Sequence, residues 1–174
     1  MKLKKVIDAQ IPVDYMFRHG SLKIDCNYFI KAIDKGVVAP DNINYSTNVK
    51  GLMTSWHYFN KDDKFIETIL PLFDYLDNQP GIKKYYLESA WGVKEGFTHY
   101  TGLHDHIPNY ISGIIYLNSH CQVLLFPQLK EKIIPEKGDC IIFSSFLKHK
   151  TLRNTTKINK YAIAFNLKED IKKS

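Results

Sequence analysis

The sequence predicts a mainly β domain in which flanking helices pack against one face of an antiparallel sandwich or small barrel. Three observations carry this prediction. Two segments with helical periodicity lie within the first 80 residues, eight short β-like segments follow from residue 82 onwards, and no strand–helix alternation connects those segments. Consecutive strands without intervening helices favour antiparallel pairing, because parallel strands need long crossover connections.

The first predicted helix spans residues 25–35. Asp25 is a favourable N-cap, apolar side chains recur inside the segment, and Gly36 stands just past its end. The following segment Val49–Phe59 is rich in residues with high β propensity, and we expect it to be extended.

The second predicted helix lies within residues 60–78, where apolar side chains recur with helical period. Asn60 and Asp62 are its candidate caps. Pro71 stands inside this pattern and is predicted to kink or split the helix, because proline removes a backbone donor.

From residue 82 the chain is predicted to form strands, separated by Gly, Pro, Asn and His residues. These predicted strands are Ile82–Val93, Thr98–Leu103, Ile111–Asn118, Gln122–Phe126, Lys132–Ile134, Asp139–Ser144, Lys150–Arg153 and Tyr161–Leu167. We therefore expect one domain over residues 1–174, with helical support in about 1–80 and a barrel core in about 82–167.

Composition narrows the class of protein. The chain has 174 residues, a hydrophobic content of 44% and a formal net charge of +6, and its basic residues are dispersed among acidic ones, which argues against a nucleic-acid site. It lacks a stretch of about 18 apolar residues and an apolar leader segment, so we expect a cytoplasmic protein with no membrane span. Three cysteines without metal-ligand spacing fit reduced thiols.

Three histidines form the principal candidate for a chemical site. His104 and His106 stand two positions apart before an apolar strand, and His149 follows a later apolar strand. Because residues i and i+2 of a strand point to the same side, His104 and His106 can face one point, with Asp105 facing away. His149 would reach the same edge of the sheet. Open faces of this kind suit non-haem Fe(II), which usually takes two His and one carboxylate.

The identity of the third ligand is left open by the residues themselves. Asp105 would complete a set of two His and one carboxylate, but the neighbouring His104 would then have to bend with it around the metal. His106 would complete a set of three neutral imidazoles, whose extra positive charge a dianionic co-substrate could offset. Strand geometry favours His106 over Asp105.

Beyond this spacing, the chain resembles a 2-oxoglutarate/Fe(II)-dependent oxygenase family, in an H-x-H branch related to prolyl hydroxylases. Residues 104–117, HDHIPNYISGIIYL, are similar to its H-x-H-P-x-x-x-x-S-G-V-Y-Y-L signature, with Pro108 shifted by one position. Residues 149–166 resemble its closing segment, and residues 47–54 resemble its T-N-V-x-x-x-x-T stretch. The resemblance is strongest over residues 90–167.

This resemblance implies a double-stranded β-helix, a jelly-roll or cupin-like barrel with the metal at its open mouth. It implies an oxidoreductase, a dioxygenase that hydroxylates an unidentified substrate with Fe(II), 2-oxoglutarate and O2 and releases succinate and CO2. His104, His106 and His149 match the metal-binding positions, and no further catalytic side chain is implied. Lys160 matches the arginine that holds the distal carboxylate of 2-oxoglutarate, and Tyr116, on the strand after the metal motif, could donate its hydroxyl to the same carboxylate.

Lys160 departs from the family pattern, because lysine is a single-point cation without the bidentate fork of arginine. Arg153, four residues past His149, is the other candidate clamp.

Two other classes of function compete with an oxygenase. A cupin-like metal-binding isomerase or epimerase without oxygen chemistry would share the barrel and the histidine pair, but it would not require a cation at residue 160. A non-enzymatic binding module would use the positive charge on an acidic partner, with a strong salt dependence. The substrate and the oligomeric state, including a homo-oligomer, stay open.

Overall fold

A computed structural model describes residues 2–7, 14–42, 47–79 and 83–170. β-Strands are the predominant regular structure of these residues, with two α-helices before the long run of strands. The elements in chain order are β1 (Lys2–Ile7), β2 (Phe17–Ser21), α1 (Cys26–Gly36), β3 (Val49–Lys50), β4 (Leu52–Met53), α2 (Asp63–Asp77), β5 (Tyr85–Glu95), β6 (Tyr100–Thr101), β7 (Ile111–Tyr116), β8 (Leu124–Phe126), β9 (Glu131–Ile133), β10 (Asp139–Ser144), β11 (Lys150–Thr151) and β12 (Lys160–Glu169).

Three antiparallel sheets form the barrel. The main sheet has seven strands in the order β1-β2-β10-β7-β12-β5-β4, a second sheet has the order β11-β8-β9, and β3 pairs with β6. Each of the eight strands expected after residue 82 has a counterpart, with shifted ends. The prediction of a mainly β fold with antiparallel strands and flanking helices is therefore confirmed.

The two faces of the main sheet pack against different parts of the structure. Along β12, Ile163 and Phe165 pack into the large core beneath the helices, whereas the alternating Ala162 and Ala164 face the barrel interior. The helices bury one apolar stripe each against the first face, including Phe29, Ile33, Phe65, Ile69, Leu72 and Leu76. The opposite face lines the barrel interior, is not the face on which the helices pack, and can therefore carry the side chains of a functional site.

Side chains at the helix starts follow the sequence prediction in part. Asp25 and Asp62 cap α1 and α2 by accepting the backbone N–H of the residue three positions on. Asn60 does not cap α2. It accepts the backbone N–H of Ala90 and donates to the carbonyl of Glu88, so it joins the segment before α2 to β5.

The predicted split of α2 and the single extended segment Val49–Phe59 were wrong, whereas the alternative of a kink at Pro71 stays a prediction. Pro71 does not split α2, because buried side chains on both sides of it continue one apolar face against the sheet. Val49–Phe59 is not one extended segment, since only two short strands form before the chain turns. There, Trp56 packs its ring against Trp91, and Tyr58 donates its hydroxyl to a helix carbonyl of α1 instead of extending a strand.

The N-terminal region also supplies strands that the sequence analysis did not predict. β2 pairs with β10 on one side and with β1 on the other, which extends the main sheet at one edge. Phe17 of β2 packs edge-on against Phe126 in the barrel interior. Residues 1–80, predicted as helical support, thus contribute to the barrel as well. No helix in the described ranges is both long enough and apolar enough to cross a membrane.

Gly113 on β7 lies directly beneath a core aromatic ring. A Cβ added there would stand 2.1 Å from Cζ of Phe165, whereas one added at Gly102 would meet its first neighbour at 3.6 Å. Gly113 thus makes room for a ring that joins the sheet to α2.

We expect Gly113→Ala to lower the free energy of unfolding by about 1–3 kcal/mol, because an overpacked core must shift side chains or backbone. Chemical denaturation measures the change, with Gly102→Ala as the matched control. Equal stability of the two variants would show that the Phe165 ring is free to move.

Candidate metal centre

The site begins with a backbone contact between two distant stretches of the chain. The N–H of His104 donates to the carbonyl of His149 at 3.1 Å, and the N–H of His149 donates back at 2.9 Å. Two positions on, the N–H of His106 donates to the carbonyl of Ser145 at 2.8 Å. The segment before β7 is therefore fixed against the segment after β10.

Three imidazole rings converge at this contact. One ring nitrogen from each of His104, His106 and His149 lies within 4.8 Å of the others, and Nε2 of His106 is 3.3 Å from Nε2 of His149. Asp105 is outside this cluster. Its carboxylate accepts the backbone N–H of Ile107 instead. The arrangement of side chains thus agrees with the strand-geometry preference for His106.

Backbone carbonyls orient two of the rings. Nδ1 of His104 lies 2.8 Å from the carbonyl of Gly102, and Nδ1 of His149 lies 3.1 Å from that of Leu147. A carbonyl only accepts, so each Nδ1 carries the proton and each Nε2 keeps its lone pair. That tautomer is the one an imidazole needs in order to bind a metal through Nε2.

The third ring is supported by a chain of polar side chains. Asn166 of β12 lies beside His106, where its side chain raises the pKa of the ring and partly offsets the effect of burial. Asn166 in turn accepts the hydroxyl of Ser112 at 2.8 Å and donates to the hydroxyl of Ser89 at 3.1 Å. Trp91 stacks on the His106 ring with the centroids 6.0 Å apart. The orientation of His106 is thus fixed from β5, β7 and β12 together.

Burial keeps the three rings neutral. Burial, together with the neighbouring His104, lowers the pKa of His106 to about 3. Burial also lowers the pKa of His104, and it lowers the pKa of His149 well below its usual value. Neutral imidazoles are competent metal ligands at physiological pH, because no proton has to leave before a cation binds.

A narrow cavity of about 50 Å³ lies beside the rings inside the barrel. His104, His106 and His149 line it together with Lys160, which is almost fully buried. Nζ of Lys160 lies 2.6 Å from Oε2 of Glu95, whose side chain is completely buried. The cation that the sequence analysis singled out is therefore inside the barrel and carries its own counter-ion.

Further polar side chains surround this ion pair. Burial raises the pKa of the Tyr116 hydroxyl, and the charge of Glu95 raises it further. Within the described ranges, the Tyr116 hydroxyl, Nε2 of His120 and Oε1 of Gln122 are buried without a hydrogen-bond partner. Buried polar atoms normally have partners, so such a group indicates a place for a ligand or water. Tyr116 itself does not line the cavity.

On its other side, the histidine cluster borders an open groove of about 480 Å³. His104, His106 and Trp91 line both the groove and the inner cavity. The groove combines apolar and polar walls, formed among others by Trp56, His57, Asp105, Ile107, Glu88 and Lys168. A substrate in the groove would therefore reach the rings from outside the barrel.

Arg153, the alternative clamp from the sequence analysis, lies away from the cavity. Arg153 places its guanidinium over the ring of Tyr100 and donates to the carbonyl of Thr98, both outside the cavity lining. His99 also lies outside the cavity lining, and its Nδ1 accepts the backbone N–H of Gly96. Lys160, in contrast, lines the cavity.

Sequence reasoning missed three contributors to the site. Glu95, Asn166 and Trp91 were not singled out, although all three occupy the interior-facing register of their strands. The signal for them in the sequence is the alternation of side chains along each strand. A polar residue at an interior position of an apolar strand needs a hydrogen-bond partner and therefore indicates a site.

Comparison with solved structures identifies the fold. The chain is similar to the viral collagen prolyl hydroxylase of Paramecium bursaria Chlorella virus-1 in complex with 2-oxoglutarate, at 20% identity and a TM-score of 0.59 over 88% of this chain and 94% of that one. It is similar to a Trichoplax adhaerens prolyl hydroxylase in complex with a hypoxia-inducible-factor peptide, at 12% identity and a TM-score of 0.64 over 90% and 84% of the two chains.

A third similar structure belongs to an enzyme that is named as an epimerase and not as a hydroxylase. It is the non-haem α-ketoglutarate-dependent epimerase SnoN from nogalamycin biosynthesis, at 12% identity and a TM-score of 0.63 over 88% of this chain and 77% of that one. No protein-family model and no curated protein sequence matches the chain. The chain has the double-stranded β-helix fold of 2-oxoglutarate/Fe(II) oxygenases, which confirms the resemblance at the level of the fold.

Removing one imidazole should remove metal binding. We expect His106→Ala and His149→Ala to lose stoichiometric divalent metal while remaining folded, because each leaves only two of the three nitrogens. Metal analysis after anaerobic loading with Fe(II) and gel filtration measures the effect.

Asp105→Ala and His57→Ala are the matched controls, since both residues line the groove but lie outside the cluster. Retained stoichiometric iron in His149→Ala would refute the ligand set, and loss of iron in Asp105→Ala would restore the carboxylate alternative.

Proposed function

We propose that this protein is a non-haem Fe(II) and 2-oxoglutarate-dependent dioxygenase that hydroxylates an unidentified substrate. The observation that carries the proposal is one shared cavity, lined on one side by the three convergent imidazoles and on another by the cation Lys160. A metal ligand set and a carboxylate-binding cation within one cavity are what a keto-acid co-substrate requires. A cupin-like isomerase without oxygen chemistry has no need of that cation.

His104, His106 and His149 would hold Fe(II) through Nε2. The donor set fits, because the rings are neutral, their tautomers are fixed and three ligands on one face leave coordination positions open. Three imidazoles bring no negative charge, so the metal keeps its full charge for a dianionic co-substrate. When bound, the iron would let O2 oxidise 2-oxoglutarate to succinate and CO2, with one oxygen atom entering succinate and the other entering the hydroxylated substrate.

Lys160 and Tyr116 would hold the distal carboxylate of 2-oxoglutarate. Lys160 lines the cavity beside the candidate metal ligands, and the Tyr116 hydroxyl near the same ion pair is a buried donor without a partner among the described residues. Both features fit a charged acceptor, since hydrogen bonds to carboxylates are stronger than neutral ones. Lys160 acts as a point charge, so the hydroxyl would supply the directional contact that an arginine fork supplies elsewhere.

The outer groove would receive the substrate. Trp91 and the ring of His106 separate the groove from the inner cavity, so a substrate in the groove and a co-substrate in the cavity can approach the metal from opposite sides. The similar SnoN structure is an α-ketoglutarate-dependent epimerase, so the same co-substrate can serve other outcomes in this fold. Hydroxylation is the outcome that we propose here.

Addition of Fe(II) and 2-oxoglutarate under anaerobic conditions should produce a weak metal-to-ligand charge-transfer band. Admission of O2 should then convert 2-oxoglutarate to succinate, even slowly without substrate. Absorption spectroscopy and succinate quantification measure both results, with His149→Ala as the matched control. Metal binding without the band and without succinate would favour the cupin-like isomerase.

Tyr116→Phe should weaken 2-oxoglutarate binding by about 1.5–3 kcal/mol, the usual value of a hydrogen bond to a charged group. It should not lower the free energy of unfolding, because the hydroxyl has no partner within the described ranges. Titration of the charge-transfer band and chemical denaturation measure the two quantities. Arg153→Ala, the control, should change neither, and weaker binding in that variant would reassign the clamp.

A further inference from the structure

Glu95 is a buried charge that the proposed function leaves without a role. It ends β5 and stands directly opposite Lys160 of β12 in the strand register. Its Oε2 lies 2.6 Å from Nζ of Lys160, and its Oε1 accepts the hydroxyl of Thr101 at 2.5 Å. Both charged side chains are almost entirely removed from solvent.

The ion pair occupies the position where a co-substrate carboxylate would bind. A lysine offers one compact positive charge, so Glu95 and an incoming carboxylate compete for the same ammonium. Burial would raise the pKa of Glu95, but Lys160, Thr101 and Gln122 outweigh burial and hold it below its usual value. Glu95 is thus an anion held against the proposed clamp.

The size of the inner cavity supports the same competition. Its volume of about 50 Å³ is far below the several hundred Å³ typical of ligand sites. A five-carbon dicarboxylate therefore needs side chains to move before it enters. The Lys160–Glu95 pair lies beside the cavity. Its separation would free the ammonium of Lys160 to bind the ligand.

We propose that Glu95 is an internal competitor for Lys160, which the distal carboxylate of 2-oxoglutarate has to displace. This inference rests on the proposed function. The displaced carboxylate keeps its contact with Thr101, which holds the other oxygen. Glu95 thereby sets the affinity for the co-substrate and its selectivity for a dicarboxylate over a monocarboxylate keto acid.

The test is a titration of the Fe(II)-loaded full chain under anaerobic conditions. The probes are 2-oxoglutarate and 2-oxopentanoate, which share the keto-acid end and differ in the distal carboxylate. Affinities are read from the charge-transfer band and from the quenching of tryptophan fluorescence, because Trp91 stacks on His106. Glu95→Gln is compared with wild type and with Glu169→Gln, whose carboxylate pairs with Lys83 at the other end of β12.

Glu95→Gln should bind 2-oxoglutarate at least about fivefold more tightly than wild type, because Glu95 is the one carboxylate in the described part of the chain that pairs with Lys160. Its affinity for 2-oxopentanoate should change little, and Glu169→Gln should match wild type for both probes. A smaller increase, no change or a decrease for 2-oxoglutarate overturns the inference and leaves the proposed function standing. Failure of both proteins to bind 2-oxoglutarate while they hold iron overturns both.

If Glu95→Gln does not fold, a measurement on the wild-type protein tests the inference instead. With Lys160 already paired, the Tyr116 hydroxyl is the main group that favours the dicarboxylate, so wild type should prefer 2-oxoglutarate over 2-oxopentanoate by no more than about 150-fold, the most that one hydrogen bond to a charged group supplies. A larger preference would mean that Glu95 does not weaken the binding of 2-oxoglutarate, and it would overturn the inference.

Discussion

The reciprocal backbone hydrogen bond between His104 and His149 is the contact on which the site depends. It joins two stretches separated by more than forty residues, and it fixes their register at one point. Because side chains alternate along extended backbone, a slip of one residue would turn His106 away and present Asp105 to the cluster. The additional contact from His106 to Ser145 holds that register. The ligand set is therefore a consequence of strand pairing as much as of residue type.

Alternation within the main sheet explains how one small domain carries both a core and a polar interior. On β12, Ile163 and Phe165 bury against the helices while Lys160 and Asn166 face the barrel interior. The helix-packed face supplies the apolar burial that stabilises the domain. The interior face can then hold charged and unpaired polar groups, which natural proteins tolerate mainly where function needs them.

The sequence was sufficient for the parts of the structure that depend on local pattern. His104 and His106 are found from their spacing, because period two decides which side chains share a face. The strands after residue 82 are found in the same way. β2 is missed because its residues, FRHGS, lack apolar alternation, and only pairing with β10 makes them a strand. Glu95 is missed because its role depends on the residue opposite it, which pairing alone determines.

The charge of Glu95 has opposite effects on the two ligands of the proposed site. The positive charge of Lys160 is felt at the metal cluster, where it contributes to the lowered pKa of His149, and it therefore disfavours a cation there. Glu95 offsets that charge and so favours a divalent ion held by three neutral imidazoles. The same negative charge disfavours a dianion beside Lys160. In the proposed function, a site without a carboxylate ligand would thus retain one carboxylate beside Lys160, which would moderate the binding of 2-oxoglutarate while it assists the metal.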